Sequence, residues 1–111
     1  MTSDGYPKCI IDLPKAKIPF LGVKGWIAQG ENSQTVFFEI EPIGEVTPHS
    51  HGAQFGIVIE GEMQLTIGEK TNTYTKGDSY FIPEGVVHHA TFNTFCRVMD
   101  YFAEPDRYEH E

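Results

Sequence analysis

No window of a dozen residues in this chain holds a helical apolar period free of glycine and proline. Eleven glycines and seven prolines divide the 111 residues into short runs. Between these breaks apolar and polar residues alternate, the period of an extended strand whose side chains point to opposite faces in turn. Thr35 to Glu41 sets Val36, Phe38 and Ile40 against Phe37, Glu39 and Glu41. Gln54 to Glu60 sets Phe55, Ile57 and Ile59 against Gln54, Gly56, Val58 and Glu60, and Glu62 to Ile67 sets Met63, Leu65 and Ile67 against Gln64 and Thr66. Thr71 to Tyr74, Ser79 to Ile82, Val87 to Phe92 and Phe95 to Phe102 follow, with one or two further strands in 20–29. Turns fall at Pro42 and Gly44, Gly61, Gly68-Glu69-Lys70, Lys76-Gly77-Asp78 and Pro83-Glu84-Gly85. About eight or nine short strands so closely spaced predict an all-β fold, a jelly roll or small barrel of two antiparallel sheets.

The length is that of one domain. Residues 1–15 read as an irregular lead-in in which Cys9 to Leu13 is a candidate edge strand; 16–103 hold the barrel; 104–111 read as an acidic tail, solvated unless Arg107 is drawn inward. Sixteen acidic against eight basic side chains give a formal charge of -8, which cannot neutralise a row of phosphates and so excludes nucleic acid as the expected partner. No apolar run reaches the roughly 18 residues of a membrane span. The start, MTSDGYPKC, is neither basic nor followed by an apolar stretch, so no signal peptide is expected. Cys9 and Cys96 form neither a disulfide framework nor a CxxC pair. These features together predict a soluble, cytoplasmic protein.

Four of the five histidines fall in two pairs. His49 and His51 alternate across one residue, so in an extended segment both rings share a face, roughly 6.5–7 Å apart. One metal ion can accept Nε2 atoms from both. Gln54 follows, with a side-chain oxygen able to serve as a further hard ligand. His88 and His89 come after a Pro-Glu-Gly turn, and being adjacent they must point to opposite faces, so one of the two joins the site. Neutral imidazoles with an amide leave the ion's charge uncompensated, which suits a catalytic or ligand-binding metal better than a closed structural one. The plainer alternative is that these are turn histidines that happen to cluster.

These motifs resemble those of the cupins, small metal-binding β-barrels. Gly44-Glu-Val-Thr-Pro-His49-Ser-His51-Gly-Ala-Gln54, followed by Gly61, is similar to the first cupin motif, and Gly77-Asp-Ser-Tyr-Phe-Ile-Pro83-Glu-Gly85-Val-Val-His88 to the second. The resemblance marks His88, not His89, as the third imidazole ligand beside His49, His51 and Gln54. It implies one divalent transition metal, with zinc, nickel, manganese and iron all compatible with such donors. It also implies a homodimer, in which an N-terminal strand such as Cys9 to Leu13 covers an edge of the neighbour's sheet.

Within the family the chain resembles the single-domain cupins that process unsaturated uronates in pectin breakdown. These carry Gln as the fourth ligand and end on an Asp-x-Phe segment followed by Pro-x-Arg, here Asp100-Tyr-Phe102 and Pro105-Asp-Arg107. The resemblance implies an enzyme acting on a small acidic sugar or keto acid by ring opening or isomerisation. The metal would polarise a substrate oxygen, Asp100 would act as general acid or base, and Arg107 would grip the substrate carboxylate. Asp100 shares a strand face with Val98 and Phe102, so it enters the pocket if that face looks inward. The competing readings are an iron-dependent dioxygenase, a non-catalytic small-molecule-binding module, and a structural role in which Asp100 caps a rim while Arg107 pairs with a tail acid. Phe38, Phe55, Ile57, Met63, Leu65, Phe81, Phe92 and Phe95 are expected to pack rather than to touch a cofactor. Tyr80 either reaches the pocket or joins the core, the commoner place for an aromatic, Cys96 is expected as a buried thiol, and Trp26 lines either the barrel mouth or a dimer face.

Overall fold

A computed structural model of the protein describes residues 5–111. One helical turn, α1 (Lys8–Ile11), precedes nine strands: β1 (Val23–Gln29), β2 (Gln34–Ile40), β3 (Gly44–Glu45), β4 (Gln54–Glu60), β5 (Glu62–Ile67), β6 (Lys70–Thr75), β7 (Ser79–Ile82), β8 (His88–Phe92) and β9 (Cys96–Phe102). They form the expected all-β architecture of two sheets, one in the order β1-β2-β9-β4-β7 and one in the order β3-β8-β5-β6. Every strand pair is antiparallel.

The alternation of the sequence sets the core. Val36, Phe38 and Ile40 from β2, Val58 from β4, Met63 and Leu65 from β5, and Val98 and Phe102 from β9 all turn into the space between the sheets. Each such side chain, fully buried, contributes roughly 1.5–3 kcal/mol. Gly61 makes the corner at which the chain leaves the five-stranded sheet and enters the four-stranded one. It adopts φ +88°, and a Cβ there would lie 2.2 Å from the Phe95 carbonyl oxygen.

The outer face of the larger sheet is covered on one side only. Arg97 lies there, buried, between Glu39 (2.9 Å) and Glu60 (3.0 Å). These three residues are neighbours across β2, β9 and β4. The Tyr6 and Phe95 rings flank the guanidinium at 5.8 and 4.7 Å. Tyr6 also packs edge-on against Trp26 and Phe37 and donates its hydroxyl hydrogen bond to the Phe38 carbonyl at 2.8 Å. Trp26 is therefore covered by the chain's own N-terminal segment.

Three expectations are corrected. Of the lead-in 1–15, residues 1–4 lie outside the described residues, and the first three residues of the candidate edge strand Cys9 to Leu13 belong to α1 instead. Phe55 and Phe81, expected to pack, are 44% and 57% exposed. The inner face of β4 is the one carrying Gln54, Gly56 and Val58, so strict alternation turns Phe55 out, opposite Phe81 and Tyr101. Residues 104–111 are not a free tail: Lys17 donates to the Glu109 carbonyl (2.8 Å), Glu111 to that of Lys15 (2.8 Å), and the Gln34 amide bonds the Tyr108 backbone at both its N–H and its carbonyl. Among the described residues no helix is long and apolar enough to cross a membrane.

Gly61→Ala is expected to destabilise the protein by roughly 2–4 kcal/mol, because left-handed strain adds to a backbone clash. Gly68→Ala, at φ +61° but with open space around it, should cost about 1–2 kcal/mol. Urea unfolding of both variants tests the difference; equal losses would sink the assignment of Gly61 as a sterically closed corner.

Candidate functional site

His49 and His88 form a backbone bridge. His49 N–H donates to the His88 carbonyl (3.0 Å) and His88 N–H to that of His49 (2.9 Å). Directly opposed residues project their side chains to the same side, and the two ring centres lie 4.4 Å apart. His51, two residues along, faces the same way, with its ring 5.3 Å from His49 and 4.8 Å from His88. Gly85 N–H donates to the His51 carbonyl, tying the second turn to the first loop. Glu104 accepts a hydrogen bond from Gly52 N–H at 2.9 Å and holds the same loop from the other side. His89 points away, its Nε2 3.8 Å from Glu45.

The imidazoles are oriented by their own backbone. Nδ1 of His49 lies 2.8 Å from the Thr47 carbonyl, Nδ1 of His51 2.8 Å from that of Gly52, and Nδ1 of His88 3.0 Å from that of Val86. A carbonyl oxygen only accepts, so each Nδ1 carries the proton and each Nε2 presents a lone pair. One ligand atom from each ring lies within 4.8 Å of the other two. Burial, the largest cause, lowers the pKa of His51 to about 4 and also lowers that of His88; the Arg107 charge acts in the same direction on both. Both rings are therefore neutral near pH 7. His51 Nε2, His88 Nε2 and Gln54 Oε1 are buried without a hydrogen-bond partner. Buried, unpartnered acceptors carry a desolvation penalty that a cation would relieve. The donor set fits a divalent transition metal.

Asp100 enters the same cavity from β9. It is 4% exposed, and its Oδ1 accepts a hydrogen bond of 2.7 Å from the Tyr80 hydroxyl. Gly56 lies between them in register, opposite Tyr80 on one side and Asp100 on the other. A Cβ at Gly56 would come within 2.1 Å of Asp100 Oδ1 and 2.2 Å of Tyr80 Cζ. The absent side chain is what allows the two to meet across β4. Burial raises the Asp100 pKa to about 6, opposed by hydrogen bonds from Gln54 and Tyr80. Arg107 lines the cavity from the C-terminal segment, its guanidinium 4.5 Å from the Tyr108 ring centre and 5.8 Å from that of Phe102. Its Nε is buried without a partner, and among the described residues Arg107 makes no ion pair. His49, His51, Gln54, His88, Asp100 and Arg107 thus all line one cavity of about 110 Å³. The sequence reading left Tyr80 between pocket and core and passed over Glu104; Tyr80 is both buried and in the cavity wall. A glycine within an otherwise alternating strand was the available signal for the close approach at Tyr80.

Two antiparallel sheets closed around converging imidazoles define a small β-barrel of the metal-binding type. The chain belongs to the cupin family: residues 36–102 match the Cupin domain model. It is 31% identical over 80 residues to the H2HPP isomerase of Bacillus subtilis, a stretch that covers 70% of this chain and 34% of that one. The chain thus spans about a third of the length of that curated relative. An RmlC-like cupin from Shewanella frigidimarina has a similar structure, with TM-score 0.75, 26% identity, and coverage of 86% of this chain and 87% of that one. KdgF from Halomonas sp. shares the fold at TM-score 0.73 and 23% identity, with coverage of 83% and 88%.

Protein purified without an affinity tag is expected to carry about one divalent transition ion per chain. His51→Ala should lose most of it, whereas His89→Ala should retain it. Elemental analysis by mass spectrometry decides; equal metal content in both variants would reject the three-imidazole centre.

Proposed function

We propose that the protein is a metal-dependent enzyme that moves a proton on a small anionic substrate, an acidic sugar or keto acid, in a ring-opening or isomerisation reaction. The observation carrying this reading is Asp100: a buried carboxyl group in the wall of the imidazole cavity, held by the Tyr80 hydroxyl at 2.7 Å. His49, His51, His88 and Gln54 would hold a divalent ion, whose positive charge would polarise a substrate oxygen. Arg107, whose guanidinium Nε is buried without a partner, binds the substrate carboxylate in the forked geometry that suits it. Asp100 then accepts a proton from the carbon beside the carbonyl and returns it at the other end of the conjugated system. The proton count is unchanged, as an isomerisation requires. Tyr80 holds the carboxyl group in place, and the surrounding apolar side chains keep bulk water from competing for the proton.

An iron-dependent dioxygenase is the second reading, supported by the aliphatic wall of the same cavity. Oxygen uptake by the iron-loaded protein separates the two.

The experiment is solvent deuterium wash-in, followed by NMR, on a panel of unsaturated monouronates and α-keto acids. Asp100→Asn is expected to keep its metal and slow exchange by about 10²–10⁴-fold. Arg107→Met should mainly raise KM. Exchange that persists unaltered in metal-free protein or in Asp100→Asn would remove the proposed chemistry. Metal and ligand binding without any exchange would mark a binding module.

A further inference from the structure

The cavity has two unlike walls. One gathers the three imidazoles, Gln54, Tyr80, Asp100, Arg107 and Tyr108; the other is hydrocarbon, including Ile18, Ile43, Val46, Met63, Leu65 and Phe92. Among the described residues no Ser, Thr, Asn, Lys or Glu lines it. Met63 and Leu65 are 3% exposed, and Phe92 is 6% exposed.

Most polar groups in the cavity already have a task under the reading above. The imidazoles and Gln54 face the ion, Arg107 takes the carboxylate, and Asp100 with Tyr80 handles the proton. Of the lining side chains only the Tyr108 hydroxyl remains to receive a further hydroxyl. A sugar acid brings several hydroxyls, and each one seated against aliphatic carbon loses its hydrogen bonds to water, at a cost of about tenfold or more in affinity. A methylene placed there instead gains about fourfold.

We propose that the substrate is an α-keto or enol carboxylate with a hydrocarbon body, a ring or short chain lying along Ile43, Val46, Met63, Leu65 and Phe92, and not a polyhydroxylated sugar acid. This rests on the carboxylate-and-proton reading of the site and narrows it to one of its two substrate classes.

The test is calorimetric binding to zinc-loaded protein of pyruvate, α-ketobutyrate, α-ketovalerate and α-ketocaproate, with galacturonate as the hydroxylated comparator. The expected result is a Kd that falls about fourfold per added methylene, with galacturonate no tighter than pyruvate. The variants Ile43→Thr and Val46→Thr, each of which sets a hydroxyl on the hydrocarbon wall at a partly buried position, should flatten that slope while leaving pyruvate binding close to the parent. A flat series with pyruvate bound, or galacturonate binding tighter than the longer keto acids, overturns the hydrocarbon-body assignment and leaves the carboxylate site standing. Zinc-loaded protein that binds none of the keto acids overturns both.

Discussion

Three imidazole Nδ1–H groups donate to main-chain carbonyls one or two residues away, at Thr47, Gly52 and Val86. Each bond is worth only about 0.5–1.5 kcal/mol net, yet together they decide the chemistry of the cavity. With the protons fixed on Nδ1, the Nε2 lone pairs are all directed away from the backbone. Were the opposite tautomers present, the same rings would crowd N–H donors together and repel a cation. The carbonyls are in turn held by the reciprocal His49–His88 bridge and by the Gly85-to-His51 hydrogen bond. Ligand orientation is therefore a property of the turns, and the sheets contribute by bringing the turns together.

Gln54 shows how neighbouring requirements settle a residue choice. Many cupins carry Glu at this position. Here the side chain is close enough to the buried Asp100 to hydrogen-bond to it, and a carboxylate accepts without donating. An amide can donate to Asp100 and still keep an oxygen free, and Gln54 Oε1 is indeed buried without a hydrogen-bond partner. A glutamate would set two carboxylates side by side, raising the cost of ionising either. Under the proposed function, one bifunctional side chain would serve both ligation and proton handling.

Much of the architecture was legible because period-two alternation is a direct consequence of strand geometry. The runs at Thr35–Glu41, Gln54–Glu60 and Glu62–Ile67 each appear as strands with one buried face. The failures are equally physical. Taking Gln54 as a ligand and Phe55 as core was inconsistent, since adjacent strand residues cannot share a face; ranking by hydrophobicity alone hid the conflict. Lys8–Ile11 forms a single helical turn whose stability comes from where Tyr6 anchors the segment, a contact spanning 32 residues to Phe38. The pairing of residues 104–111 with Gln34 and residues 15–17 is likewise tertiary. Of the site, the histidine spacings and the strand parity of Asp100 were readable. The contact of Tyr80 with Asp100 was not, because it depends on Gly56 standing between two strands that are far apart in the chain.

The position of β9 has a consequence for biosynthesis. It lies in the middle of the larger sheet, between β2 and β4, yet it leaves the ribosome after every other strand. Until it emerges, β2 and β4 face an open slot, Val58 and Val36 lack their central neighbour, and Asp100 has not reached Tyr80.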